Sequence, residues 1–84
     1  MNDVTLDAII QLVADVLEIP AGDLGPDTQG VDLAAWDSFG QVRIVLAAEA
    51  QFGVSLTMGE IETAGSIQGL FAAVQAAASR QGRQ

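Results

Sequence analysis

The sequence predicts an all-α protein, a small helical bundle of three main helices plus one short helix, with a long loop between helices one and two. Apolar residues recur at steps of three and four in three separate segments, as in amphipathic helices. No pair of segments alternates in the way that a sheet requires. Half of the 84 residues are apolar but few are aromatic, so aliphatic side chains must form the core.

The first helix is marked by an apolar face, and we expect Pro20 to stop it. A long loop with three glycines, two prolines and three aspartates follows over residues 20–36. Loops of this length are usually functional or disordered, and scattered apolar anchors favour order. The residues of the helical face are Leu6, Ile9, Ile10, Val13, Val16 and Leu17, and the loop anchors are Leu24, Val31, Leu33 and Trp36.

The second helix is predicted over residues 38–52, with Gly53 as its C-cap. Its apolar residues extend beyond one stripe, so it needs either two neighbours or one neighbour and a docking surface. We interpret "FGVSLTM" as a connection and "MGEIETAG" as one or two helical turns. Ser66 can cap the last helix, and the tail "SRQGRQ" is expected to fray.

Composition limits the classes of function and partner. Eleven acidic residues against three arginines give a formal charge of -8, which disfavours nucleic acid. The absence of cysteine fits a cytoplasmic protein, and the sequence shows neither a basic signal start nor about 20 apolar residues in a row, so no membrane partner is expected. We expect residues 1–84 to be a single monomeric domain, with its core at about residues 4–78.

Asp37 and Ser38 stand where the loop gives way to the second helix. Nucleophilic catalysis by Ser38 would need a base such as histidine or lysine, and the chain has neither. We therefore expect that the protein has no catalytic residue and is not an enzyme. Ser38 could be the helix cap in an S-x-x-Q capping box with Gln41. If Asp37 caps instead, Ser38 lies on the first turn with a free hydroxyl, where an added phosphate would be favoured.

Other binding sites find little support in the sequence. The loop aspartates do not follow the spacing of a calcium-binding loop, so we expect no metal site. The loop glycines form neither of the common phosphate-cradling patterns for nucleotides.

Across about residues 4–78 the chain resembles the acyl carrier protein family. The letters "DSF" resemble that family's D-S-L motif, "VRIVLAAEAQFGV" is similar to its second helix and "AGSIQGLFAAV" to its last helix. The resemblance implies that Ser38, preceded by the motif acid Asp37, is esterified by the phosphate of 4′-phosphopantetheine. A phosphopantetheinyl transferase would supply this arm from coenzyme A. The arm's thiol would carry an acyl group as a thioester between partner enzymes that load and transfer it.

The resemblance also implies a partner-binding face along the second helix. Arg43 and Ala50 stand where fatty-acid-type carriers usually have acids, whereas Glu49 retains one. Trp36 and Phe39 resemble residues of discrete carriers in specialised pathways such as polyketide synthesis, but we favour Trp36 as a loop anchor packed on the bundle over a direct partner contact. The expected partner-binding residues are Phe39, Val42, Arg43, Leu46 and Glu49, extended by Met58 and Ile61 unless these point into the core.

Two alternatives stay open at this point. A discrete aminoacyl or peptidyl carrier of the nonribosomal type would have a similar scaffold and serine. A helical interaction module, in which Asp37 and Ser38 merely begin a helix, would belong to a different class of protein.

Overall fold

The computed structural model describes residues 4–81, which form four helices. No β-strand occurs in this part of the chain; an isolated antiparallel bridge joins Gln29 and Ser66. The predicted all-α bundle of three main helices and a short one is therefore confirmed. No helix within residues 4–81 is long and apolar enough to cross a membrane. The helices are α1 (Leu6–Leu17), α2 (Ser38–Phe52), α3 (Met58–Thr63) and α4 (Ile67–Arg80).

Helix α1 begins and ends through local contacts. The Thr5 hydroxyl accepts a hydrogen bond from the Ala8 N–H at 3.0 Å and caps the first turn. At the other end Glu18 adopts a left-handed conformation, with φ of 58°, and its N–H bonds to the carbonyl of Ala14. The helix thus ends at Leu17. The prediction that Pro20 stops α1 is wrong, because the left-handed residue Glu18 already ends the helix.

The long loop is ordered, as its apolar anchors predicted, and contains two short 3₁₀ turns at Ala21–Asp23 and Gly30–Asp32. Leu24 and Trp36 are buried in the core, and Leu33 packs against it.

The prediction that Val31 anchors the loop is wrong, because its side chain is 93% exposed. The preceding Gly30 takes the inward position, and its N–H donates to the carbonyl of Gly65 at 2.8 Å. A Cβ on Gly30 would lie 2.6 Å from that carbonyl oxygen. Backbone thus fills the place that a side chain would need, and Val31 turns outward.

The core lies where α1, α2 and α4 meet, and α3 packs against α4. Its largest fully buried side chains are Ile9, Val13, Ile44, Ile67, Leu70 and Val74. Helix α2 ends as predicted at Gly53, which has a φ of 66° and bonds to the carbonyl of Glu49. Val42 and Leu46 on α2 are exposed, so this helix has both helical neighbours and a free apolar surface.

The short helix and the last helix both have side-chain caps. Thr57 and Glu60 form a reciprocal capping box at the start of α3. The Ser66 hydroxyl accepts from the Gly69 N–H at 3.0 Å, which confirms Ser66 as the cap of α4.

The end of α4 is fastened to the start of α3. Arg80 bonds to the Glu60 carboxylate at 2.6 Å and to the Ser55 carbonyl at 3.0 Å, and the Gln81 amide also donates to Ser55. The predicted fraying of the tail is therefore wrong for its first three residues, 79–81, because two of them make long-range hydrogen bonds. The remaining part, residues 82–84, lies outside the described residues.

The ion pair predicts how stability responds to acid. The hydrogen bond from Arg80, together with a backbone hydrogen bond from Thr57, lowers the pKa of Glu60 from 4.5 to about 2. Because the folded state binds this proton less readily than the unfolded state, the stabilisation is complete above the unfolded pKa of 4.5 and lost as pH falls to about 2.

Glu60→Gln is the matched variant, since glutamine can still serve in the capping box. We expect it to be less stable than the wild type in urea at neutral pH, and the difference to vanish as pH falls towards 2. A difference that stays constant over that range would contradict the ion pair's role.

Candidate functional site

The start of α2 is fixed by the Asp37 side chain and by a close contact between the backbones of Gly40 and Ala35. The Asp37 carboxylate accepts from the Gly40 N–H at 2.8 Å, and its backbone carbonyl accepts from the Gln41 N–H at 2.8 Å. A Cβ on Gly40 would lie 2.6 Å from the carbonyl oxygen of Ala35, so glycine lets the loop pass close to the first turn. These contacts make Asp37 the N-cap and Ser38 the first helical residue.

Ser38 is exposed, and its hydroxyl makes no hydrogen bond within the described structure. The backbone N–H groups of Ser38 and Phe39 likewise have no partner in residues 4–81. The sequence allowed either Ser38 or Asp37 as the cap of this helix. The capping box of Ser38 with Gln41 is wrong, because Asp37 caps the helix and leaves the hydroxyl of Ser38 free.

The side chain of Gln41 connects three elements instead. Its Oε1 accepts from the indole Nε1–H of Trp36 at 2.6 Å. Its Nε2 donates to the backbone carbonyls of Ile61 and Ala64, each at 3.2 Å, at the end of α3. The sequence analysis missed this role, because the acceptors lie 20 and 23 residues away and no motif near Gln41 indicates them.

A groove of about 400 Å³ opens directly beside Ser38. Trp36, Val31 and Ile61 contribute its apolar lining, and Glu62 stands with them at the groove. Trp36 is 7% exposed, so the interpretation of this residue as a loop anchor is consistent with the structure while its ring still borders the groove.

Four of the residues predicted to bind partners form an exposed apolar set on α2 and the start of α3, which we call the apolar face. Phe39 is 71%, Val42 55%, Leu46 60% and Met58 73% exposed. The spacing of the first three, at steps of three and four, places them on one side of α2. Ile61 differs from Met58, because it is partly buried against the core.

The two charged residues predicted for the same face both have structural partners. Arg43 donates from Nη2 to the carbonyl of Val16 at 2.7 Å, and its guanidinium carbon lies 5.9 Å from the centre of the Phe39 ring. The Glu49 carboxylate accepts from the Leu56 N–H at 2.8 Å and so holds the connection after α2. Both partners are neutral backbone groups, so Arg43 and Glu49 keep their charges but are held in position by the chain.

Comparisons with known proteins show the family and the fold of this chain. A family model described as a phosphopantetheine attachment site matches residues 7–74. An acyl carrier protein of Thermobifida fusca is 26% identical over 70 residues, which cover 83% of this chain and 89% of that protein. The solution structure of a holo acyl carrier protein from Geobacter metallireducens superposes with a TM-score of 0.79 at 23% identity, over 92% of this chain and 88% of the other.

The residues at the start of α2 fit a phosphopantetheine group. Attachment needs an accessible hydroxyl, which Ser38 offers. A phosphodiester is favoured by unpaired N–H donors at the positive end of a helix, and the N–H groups of Ser38 and Phe39 supply these. The capping role of Asp37 does not depend on the serine hydroxyl, so esterification there would leave the helix start intact.

The contacts of Gln41 predict that this side chain contributes strongly to stability. Gln41→Ala removes three hydrogen bonds and leaves the partly buried indole N–H of Trp36 unpaired, which should cost about 1–3 kcal/mol. Urea unfolding followed by circular dichroism measures the loss.

Gln68→Ala is the control, because Gln68 is an exposed residue of α4. We expect its effect to stay within about 0.5 kcal/mol. Equal stabilities of the two variants would show that the Gln41 bonds contribute nothing net.

Proposed function

Because this chain belongs to the phosphopantetheine attachment site family, whose cofactor is covalently attached 4′-phosphopantetheine, we propose that it is an acyl carrier protein with Ser38 as its attachment residue. The observation that carries the assignment is the free, exposed hydroxyl of Ser38 at the first position of α2. The names of the relatives from Thermobifida fusca and Geobacter metallireducens support an acyl group over an aminoacyl group as cargo.

The residues around Ser38 would hold and orient the arm. Asp37 caps the first turn, so the exposed hydroxyl of Ser38 is not needed for the cap and stays open to a phosphopantetheinyl transferase. The N–H groups of Ser38 and Phe39 would stabilise the phosphodiester electrostatically. When bound, the group supplies a terminal thiol that holds an acyl chain as a thioester.

The chain's own residues fit a carrier that leaves chemistry to its partners. It contains no cysteine nucleophile and no histidine or lysine that could activate a serine for acyl transfer. A tether instead raises the local concentration of cargo at each partner enzyme. We therefore assign no catalytic residue.

The apolar face supports a docking role beside the arm for the transferase and for enzymes that load or transfer the acyl group. It begins at Phe39, next to the attachment residue, and presents four exposed apolar side chains. The face combines four exposed apolar side chains with one arginine and one glutamate of opposite charge, so docking here would depend more on apolar burial than on net charge. This reduced charge supports a carrier of a specialised pathway.

Loading should depend on Ser38 and on no other serine. Ser38→Ala should abolish the gain of the arm's mass after incubation with coenzyme A, Mg²⁺ and a broad-specificity phosphopantetheinyl transferase. Its folding should change little, because the hydroxyl has no partner and Asp37 caps the helix.

Ser66→Ala is the matched control. It should load like the wild type but lose about 1 kcal/mol of stability, because Ser66 caps α4. A loaded Ser38→Ala protein, or a wild type that never gains the mass, would refute the assignment.

Arg43 tests the charge of the docking face. Arg43→Glu should accelerate acyl transfer with a fatty-acid-type partner that presents a basic patch, because it adds an acid where those carriers have one. The gain should be severalfold at low salt and shrink near 0.15 M, where screening acts over about 8 Å.

Arg43→Gln controls for the lost bond to the carbonyl of Val16, which both substitutions remove. Transfer rates at two salt concentrations separate the effects. Equal rates for the Glu and Gln variants would show that charge at this position does not guide docking.

A further inference from the structure

The groove beside Ser38 is continuous with the attachment residue itself. Ser38 and Asp37 border it at one end, and the ring of Trp36 and the side chains of Val31 and Ile61 line it further on. A group joined to the hydroxyl of Ser38 therefore has this groove as an immediately adjacent surface.

The lining of the groove is mainly apolar, and its polar side chains offer acceptors. The indole N–H of Trp36 and the side-chain NH2 group of Gln41 already donate hydrogen bonds within the chain. Glu62 is exposed and has no partner in the described part of the chain, so its carboxylate is free to accept hydrogen bonds. The groove thus suits a ligand with a branched apolar group and amide N–H donors.

The arm named under the proposed function has this chemistry. Its phosphate is followed by a CH2 group, a carbon that bears two methyl groups, a carbon with a hydroxyl, and two amides. Resting on that proposed function, we infer that the groove against Trp36 is the binding site for the dimethyl-bearing segment of the arm. Val31 and Ile61 flank the methyl groups, and Glu62 accepts from an arm amide.

The exposed position of Val31 supports this inference. A valine that is 93% exposed gains nothing for the fold, yet it borders the groove next to Ser38. Contact with the arm would bury part of it.

Gln41 separates this groove from a second cavity of about 240 Å³ between α2 and α3. Gln41 and Ile61 border both spaces, whereas Ser38 borders the groove alone. Because three hydrogen bonds fix the Gln41 amide, it acts as a positioning residue that keeps the indole of Trp36 at the groove.

The test uses nuclear magnetic resonance on the full chain. Protein labelled with ¹³C and ¹⁵N is loaded with an unlabelled arm, and complete loading is checked by intact mass. Isotope-filtered nuclear Overhauser spectra then detect contacts between the arm's methyl groups and the protein. Trp36 is the one tryptophan of the chain, so its ring signals are unambiguous. We expect cross-peaks from the arm's methyl groups to the ring of Trp36 and to Ile61.

Two variants sharpen the test. Val31→Ser should reduce the cross-peaks to Trp36 without altering the fold, because Val31 makes almost no contact with the core. Ala76→Ser is the matched control, since Ala76 is also an exposed apolar residue but lies on α4, outside both this groove and the apolar face. It should leave the cross-peaks at wild-type intensity.

The outcomes separate this inference from the proposed function. Fully loaded protein without cross-peaks to Trp36, or equal cross-peaks in the two variants, overturns the arm site and leaves the carrier assignment standing. Failure of Ser38 to load overturns the carrier assignment itself. Cross-peaks from the arm to Val45 in the second cavity, in place of those to Trp36, would also refute the site.

Discussion

The last residues of the long loop are held against α2 and α3, and the position of Ser38 depends on these contacts. Asp37 bonds to the N–H of Gly40, while Gln41 joins the indole of Trp36 to two carbonyls at the end of α3. The loop would otherwise have many conformations, whose loss opposes folding. These side-chain hydrogen bonds therefore hold the end of a glycine-rich loop in one conformation and fix where α2 begins.

A second constraint is the need to bring backbone segments very close together. Gly30 lies against the carbonyl of Gly65, and Gly40 lies against that of Ala35. Both contacts leave no room for a Cβ, so small residues fix the distance between the loop and the helices. The same packing turns Val31 outward and creates the groove beside Ser38.

Several charged side chains of this acidic chain form hydrogen bonds that join its helices and connections. Arg43 supports the end of α1, Arg80 supports the start of α3, and Glu49 holds the backbone after α2. Arg43 and Glu49, which the sequence analysis expected on the partner-binding face, thus also stabilise connections between helices. The apolar face that begins at Phe39 presents four large exposed apolar side chains, which suits docking by burial of apolar area.

The sequence by itself determined the helices, the caps at Gly53 and Ser66, and the resemblance to the family. Apolar periodicity, Gly53, Ser66 and the capping ability of Asp37 act over a few residues, so they can be recognised locally. Tertiary structure alone decided the roles of Gln41, Arg43 and Val31. The bonds of Gln41 and Arg43 reach across 20 to 27 residues, and the direction of Val31 follows from the fit of Gly30 against Gly65. Such contacts depend on how the helices pack, because only packing brings distant backbone carbonyls within hydrogen-bond distance of these side chains.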